Sequence, residues 1–257
     1  QKRTPKPVVA IGTSSNGFIG KTIQYVGKAA HAADAPDQGI NALNAAMLGI
    51  MGINALRETF RDDDAIRVHP IITKGGDLVN NVPDDVRIET YVRAKSMDAI
   101  DRTNAKVDAA LRAGGAAIGA KVNIDTLPGQ LPLICNPEMN ELFVHNAQDA
   151  FPEVEITNAG HFSASTDMGD VSHLMPAIHP FIGGVDGLLH GPDFKVVDFH
   201  AAALLPGKAF AGMVIDLLSD DAKEARKILK DFKPALTKEQ YIAKLDSYFS
   251  EEEPDHD

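Results

Sequence analysis

Residues 86–92 read VRIETYV, an alternation of Val86, Ile88, Thr90 and Val92 with Arg87, Glu89 and Tyr91. Side chains of a strand point alternately to opposite faces, so this pattern predicts a β-strand with one face in a core and one in water. Working outward, Ser96 is placed to cap a helix over about 97–119, with Ile100, Val107, Ala110 and Leu111 on one face and Gly119 near its end. KVNIDTL (121–127) alternates again. Upstream, 66–73 is β-rich and runs into a Lys74-Gly75-Gly76 turn. Apolar residues from Ile40 through Leu43, Met47 and Ile50 to Phe60 recur at helical spacing and predict a helix over about 37–59. KTIQYVG (21–27) is a further alternating strand. Residues 21–127 thus read β-α-β-β-α-β, the order of a ferredoxin-like layer with two helices on an antiparallel sheet, and form a domain.

The flanks are less regular. PVVAIG (7–12) predicts a strand and 13–17 a turn. Beyond Pro128-Gly129 the expectations are a helix at 137–149, a short strand at 153–157 and a polar loop from Asn158 to Pro176. A buried strand at 177–182 and a buried helix at 201–218 follow, then charged helices at 220–231 and 236–248 and a frayed acidic tail, EEEPDHD.

Across 257 residues, 25 Lys+Arg face 36 Asp+Glu, a net charge of −11 that argues against binding nucleic acid or an anionic membrane. A hydrophobic fraction of 44% and a charged fraction of 24% suit a folded globular chain. Cys135 is the sole cysteine and reads as a small core hydrophobe, which excludes an intrachain disulfide and leads us to expect a cytoplasmic location. The stretch 201–218, interrupted by Pro206 and Lys208, falls short of the roughly 18 apolar residues of a membrane span.

Several residues could carry chemistry. His31, in GKAAHAADAP, sits among small residues between a strand and a helix; taken alone it is a loop histidine. His190, in GLLHGPDF, follows a Gly183-Gly184 pair at a strand end, where ligands and metals collect, although a lone His is more often structural. His161, His173 and His179 surround a loop with Asp167 and Asp170 but match no compact zinc spacing. Asn80 begins, and Arg93 ends, the 86–92 strand pattern; Asn80 alone reads as turn chemistry and Arg93 as a solvated face, but a guanidinium near an amide also grips a carboxylate. IGTSSNGFIG matches neither a phosphate loop nor a dinucleotide fingerprint.

Taken together, GKAAHAADAPDQGINAL (27–43), INALRETFR (53–61), GGDLVNNVPDDVRIETYVRA (75–94), STDMGDVSHLMPAIHPFIGG (165–184) and HGPDF (190–194) resemble the aminoacylase and carboxypeptidase type of dinuclear zinc metallopeptidases. Within that family they look like the bacterial amidohydrolases that include aminobenzoyl-glutamate hydrolases and the mammalian dipeptidase-like relatives. The resemblance implies an α/β architecture: 1–18 as the end of a catalytic-domain segment or linker, a ferredoxin-like lid and dimerisation domain at 19–128, and the C-terminal part of the catalytic domain at 129–257. It also implies two divalent metal ions (zinc or manganese), a homodimer through the lid, and a small amide substrate bearing a carboxylate. His31 matches the lid histidine that polarises the scissile carbonyl in the partner subunit's site. Asn80 and Arg93 match the residues that hold the substrate carboxylate and transition state, and His190 matches a metal ligand. Thr166 and Asp167 lie in a loop that lines the site.

The family's remaining ligands, an H-x-D motif and a Glu-Glu pair, lie upstream of the lid. This sequence has no H-x-D, and its only Glu-Glu run is in the tail. The expectation is therefore the C-terminal portion of a longer or split amidohydrolase, with an incomplete metal site and no activity alone. A rival from another class is a non-catalytic dimerisation and binding module.

Overall fold

The computed structural model describes residues 7–251. The acidic tail beyond Glu251 and the basic residues 1–6 lie outside them. In chain order the elements are strands β1 (Val8–Ser15) and β2 (Gly17–Val26), helix α1 (Ala42–Leu56), strands β3 (Arg67–Val68), β4 (Ile71–Lys74) and β5 (Asp85–Ala94), helix α2 (Met97–Ile118) and strand β6 (Lys121–Gln130). Then come α3 (Pro137–Ala150), β7 (Glu155–Phe162), the short helix α4 (Met168–Ser172), β8 (Phe181–Ile182), β9 (Val185–Asp186), β10 (Lys195–Val196), α5 (Leu205–Asp231) and α6 (Lys238–Tyr248). They form two compact units, one of residues 16–132, 163–165 and 238 onward, the other of residues up to 15, 133–162 and 166–237.

The first unit is the β-α-β-β-α-β layer. Its sheet runs β3-β5-β2-β6, with β4 also on β5, and every pairing is antiparallel. Ile19, Ile23 and Tyr25 of β2 and Val86, Ile88 and Val92 of β5 are buried under α1 and α2, while Arg87, Glu89 and Tyr91 are exposed on the opposite face. Ser96 Oγ accepts from the Ala99 N–H to start α2, and Gly119 ends it at φ 81°.

The helices cross very closely. A Cβ on Gly114 would stand 2.4 Å from the Gly49 nitrogen and 2.6 Å from the Ala45 carbonyl oxygen. Nearby, the Tyr25 hydroxyl donates to the Leu111 carbonyl at 2.9 Å, and burial raises its pKa well above the ordinary value. One charge enters this core: Lys21, whose Nζ lies 2.7 Å from both Asp108 Oδ1 and Thr126 Oγ1.

Three expectations are corrected here. Residues 13–15 continue β1 instead of turning, because Ser14 and Ser15 pair with His161 and Phe162 of β7. Helix α1 begins at Ala42, not 37; Ile40 pairs with Lys28 in extended backbone and Asn41 Oδ1 caps the helix by accepting from Asn44 N–H. The β-rich segment 66–73 is two short strands, β3 and β4, separated at His69-Pro70, where Pro cannot donate to a ladder.

In the second unit, β1 is central to a three-stranded sheet, parallel to β7 and antiparallel to β8. Its core joins Val9, Phe143, Ala147, Leu205, Ala209 and Met213. Strand β7 extends through Phe162, so Asn158–Phe162 are strand and not loop, and only Phe181–Ile182 of the expected 177–182 strand pairs.

The helix expected to be buried at 201–218 is buried along one stripe only. Val214, Ile215 and Leu218 are 52%, 64% and 65% exposed. Pro206 stands in the first turn of α5, and the helical stretch His200–Asp231 is long and apolar enough, by length and composition only, to cross a membrane, although Ser219–Ala222 interrupt it. A core helix passes the same test, and the buried Leu205–Ala209–Met213 stripe is core packing. Asp220, Asp221 and Ala222 adopt positive φ, so the charged helix expected at 220–231 begins only after this break.

Gly114→Ala is expected to force the α1 and α2 backbones apart and to destabilise the unit by about 2 kcal/mol or more, read as a lowered urea midpoint at unchanged slope. An unchanged midpoint would contradict the close crossing.

Candidate functional site

The sheet unit carries sequence-predicted residues at its two ends. At the end where β2 stops and β5 starts, the Ala32 N–H donates to the Asn80 carbonyl at 2.8 Å and His31 bridges Asn81. This brings the loop of His31 against the loop of Asn80, and both residues are exposed. His31 Nδ1 accepts from two backbone N–H groups, Ala33 at 3.2 Å and Asp34 at 3.1 Å. An imidazole nitrogen that accepts carries no proton, so the hydrogen of the neutral ring sits on Nε2. The loop thus presents one exposed N–H donor, which can polarise a carbonyl.

Arg93 stands at the other end of β5. Eight residues of extended strand, about 26 Å, separate it from Asp85, the first residue of β5. Asn80 and Arg93 are therefore not neighbours within one copy of this unit, although the sequence pattern suggested a joint grip. The Arg93 Nη1 donates to Ser165 Oγ at 2.7 Å, and its guanidinium lies over the rings of Phe18 and Tyr91 at 4.9 and 5.1 Å. Burial pulls its pKa below the ordinary guanidinium value. Arg93 opens onto a cavity of about 500 Å³ on the open sheet face, lined also by Gly20, Arg67, His69, Glu89 and Tyr91. Sequence reading missed this groove and Arg67. Alternation could place Arg87, Glu89, Tyr91 and Arg93 on one face, but which residue of a two-residue edge strand faces Arg93 is set by a register that only the fold reveals.

The other predicted residues belong to the second unit. His190 is exposed, at φ 63°, in the turn between β9 and β10. Thr166 Oγ1 donates to Asp167 Oδ1 at 3.2 Å and accepts from the Met168 N–H at 3.4 Å, at the start of α4. His161 Nδ1 bonds Ser14 Oγ at 2.9 Å, His173 is buried, and His179 meets the Phe181 ring edge-on. Among the described residues no three His, Cys, Asp or Glu side chains converge on a point that could hold a metal ion. A zinc site needs three or four such donors, so the donors described here do not by themselves fit the two-metal centre that the resemblance implies. Cys135 is buried, and burial pushes its thiol pKa up, which suits a core residue and not a nucleophile.

The His31 geometry makes a direct prediction. Ring ¹⁵N spectra of the protein, at a pH where the imidazole is neutral, should show His31 with Nδ1 unprotonated and Nε2 protonated. The opposite tautomer would remove the outward donor.

Comparison with known proteins agrees with this architecture. Residues 13–118 match the peptidase dimerisation domain. Over 231 residues the chain is 32% identical to a Mus musculus protein named Xaa-Arg dipeptidase, an alignment covering 86% of this chain and 52% of that one. The chain thus spans about half the length of the curated relative. Solved structures share the fold: an amidase of the hydantoinase/carbamoylase family from Burkholderia multivorans superposes with a TM-score of 0.59 at 17% identity, over 80% of this chain and 48% of that one. The aminobenzoyl-glutamate utilization protein from Klebsiella pneumoniae gives 0.53 at 19% identity, over 66% and 44%. Residues 13–118 thus carry the match to the peptidase dimerisation domain, and the chain along most of its length is similar to a dipeptidase-named protein.

Proposed function

We propose that this chain is the lid-bearing part of a metal-dependent amidohydrolase that cleaves an N-acyl or peptide amide next to a free carboxylate. The observation that carries the reading is the separation of two complementary groups along one strand: an outward N–H donor on His31 beside Asn80 at one end, and the Arg93 guanidinium, without a carboxylate partner among the described residues, at the other. An amide with a carboxylate needs both, a donor for its carbonyl oxygen and a cation for its anion.

About 26 Å is too far for one small substrate to reach both groups, so the reading requires two copies, His31 and Asn80 from one and Arg93 from the other. The surface suits such pairing. Met47 and Met51 of α1 are 50% and 61% exposed, and Ile71 and Ile72 of the edge strand β4 are 51% and 43% exposed. A two-fold axis beside this edge would bury the same patch of both subunits.

His190 is proposed as a metal ligand, with Thr166 and Asp167 near the substrate. The other ligands for two zinc or manganese ions have to come from outside the described residues. The exposed Val214, Ile215 and Leu218 of α5 are consistent with a further layer, since covering apolar surface is favourable. A second reading, a dimerisation and binding module without hydrolysis, is favoured by the lack of any convergent donor set among the described residues. Elemental analysis after zinc or manganese loading, combined with hydrolysis assays on N-acyl amino acids and dipeptides, separates the two. No metal and no turnover in a preparation extended upstream to the length of the relatives supports the module.

Two outcomes are expected in a metal-loaded active preparation. His31→Ala should lower kcat by roughly two to three orders of magnitude, the scale for losing an oxyanion donor. Mixing His31→Ala and Arg93→Ala subunits should restore about a quarter of the wild-type rate, because half the dimers are hybrids and half of their sites are complete. No recovery, or a monomer by light scattering, would rule out a site shared between copies.

A further inference from the structure

We propose that Arg67 is the second half of the carboxylate site, so that Arg67 and Arg93 form a two-guanidinium clamp on the open sheet face. The inference deepens the amidohydrolase reading and rests on its assignment of Arg93 to the substrate carboxylate.

The register is the starting point. Arg67 of β3 and Arg93 of β5 are direct cross-strand partners, and Val68 pairs with Val92. Val68 and Val92 are buried on the helix side, so alternation puts both arginines on the open face. Directly opposed like charges destabilise an antiparallel pair, so packing gives no reason for this arrangement.

Neither guanidinium is neutralised. Arg67 spends an N–H on its neighbour's carbonyl, Nη1 to Ile66 oxygen at 2.8 Å, and Arg93 spends one on Ser165 Oγ. No carboxylate lies within ion-pair distance of either among the described residues. Both line the same cavity of about 500 Å³, whose only acidic lining residue among the described residues is Glu89, four positions along β5 from Arg93.

The chemistry then selects the ligand. Each guanidinium offers a planar fork of donors, and two forks side by side can satisfy both oxygens of a planar carboxylate. Phe18 and Tyr91 hold the Arg93 plane in place and take part of it out of water, which strengthens a charged hydrogen bond there. The anion this clamp fits is the carboxylate of a small N-acyl amino acid or peptide.

The test needs no turnover and uses the chain itself. N-acetylglycine is titrated into ¹⁵N-labelled protein while the arginine Nε–Hε signals of Arg67 and Arg93 are followed, with N-acetylglycinamide and inorganic phosphate as parallel arms. The clamp predicts that N-acetylglycine shifts both signals with one apparent Kd and that the amide shifts neither. Arg67→Gln and Arg93→Gln should each weaken binding by about tenfold, and Arg67→Lys, which keeps the charge but loses the fork, should weaken it less. If Arg67→Gln leaves the Kd unchanged while Arg93→Gln weakens it, the clamp is overturned and the single-arginine reading stands. If neither variant changes binding, or the amide binds as well as the acid, both fall. Tighter binding of phosphate than of N-acetylglycine would overturn the assignment to a carboxylate.

Discussion

The site depends on the two-residue period of one strand. In β5 the residues at 86, 88, 90, 92 and 94 are committed to the helices, which forces 87, 89, 91 and 93 onto the other face. The helix layer can be covered so completely only because α1 and α2 approach to backbone contact at Gly49 and Gly114. With one face saturated, the open face is free to hold polar groups without a folding role. Arginines opposed across β3 and β5 are tolerable there because water and ligands can reach them. The same pair on the helix side would lie buried without a counter-charge.

What was legible in the sequence follows from locality. Val86 to Val92 announced a half-buried strand, and Ser96 and Gly119 announced both ends of α2, because alternation and capping are properties of a few neighbouring residues. The extension of β1 through Ser15 was not legible. Thr13, Ser14 and Ser15 have turn-like composition and are strand only because β7, about 147 residues later, supplies the partner. The start of α1 failed similarly: Ile40 fits the helical spacing, yet its backbone is taken by Lys28.

The candidate site divides along the same line. His31, Asn80, Arg93, Thr166, Asp167 and His190 were singled out through ordered motifs, and the structure adds the hydrogen bonds of His31, Arg93, Thr166 and Asp167. The contact of the His31 and Asn80 loops, the length of about 26 Å between Asp85 and Arg93 at the two ends of β5, and the partnership of Arg67 all arise from register and length. No local pattern encodes them. The apolar face of α5 is a further instance. Its composition promised burial, and the second unit covers only the stripe of Leu205, Ala209 and Met213.

Lys21 gives the sheet a device that its apolar residues alone could not. A strand that slips by one residue turns every side chain to the wrong face, and a row of similar aliphatics can trade places at modest cost. Lys21 cannot, because its ammonium has one site in the core, between Asp108 and Thr126. In a slipped pairing the ammonium would move to the open face and leave the Asp108 carboxylate facing an apolar layer without its cation. The pair, with Lys21 buried and Asp108 28% exposed, therefore favours the native register, as a single polar residue does at the seam of a coiled coil.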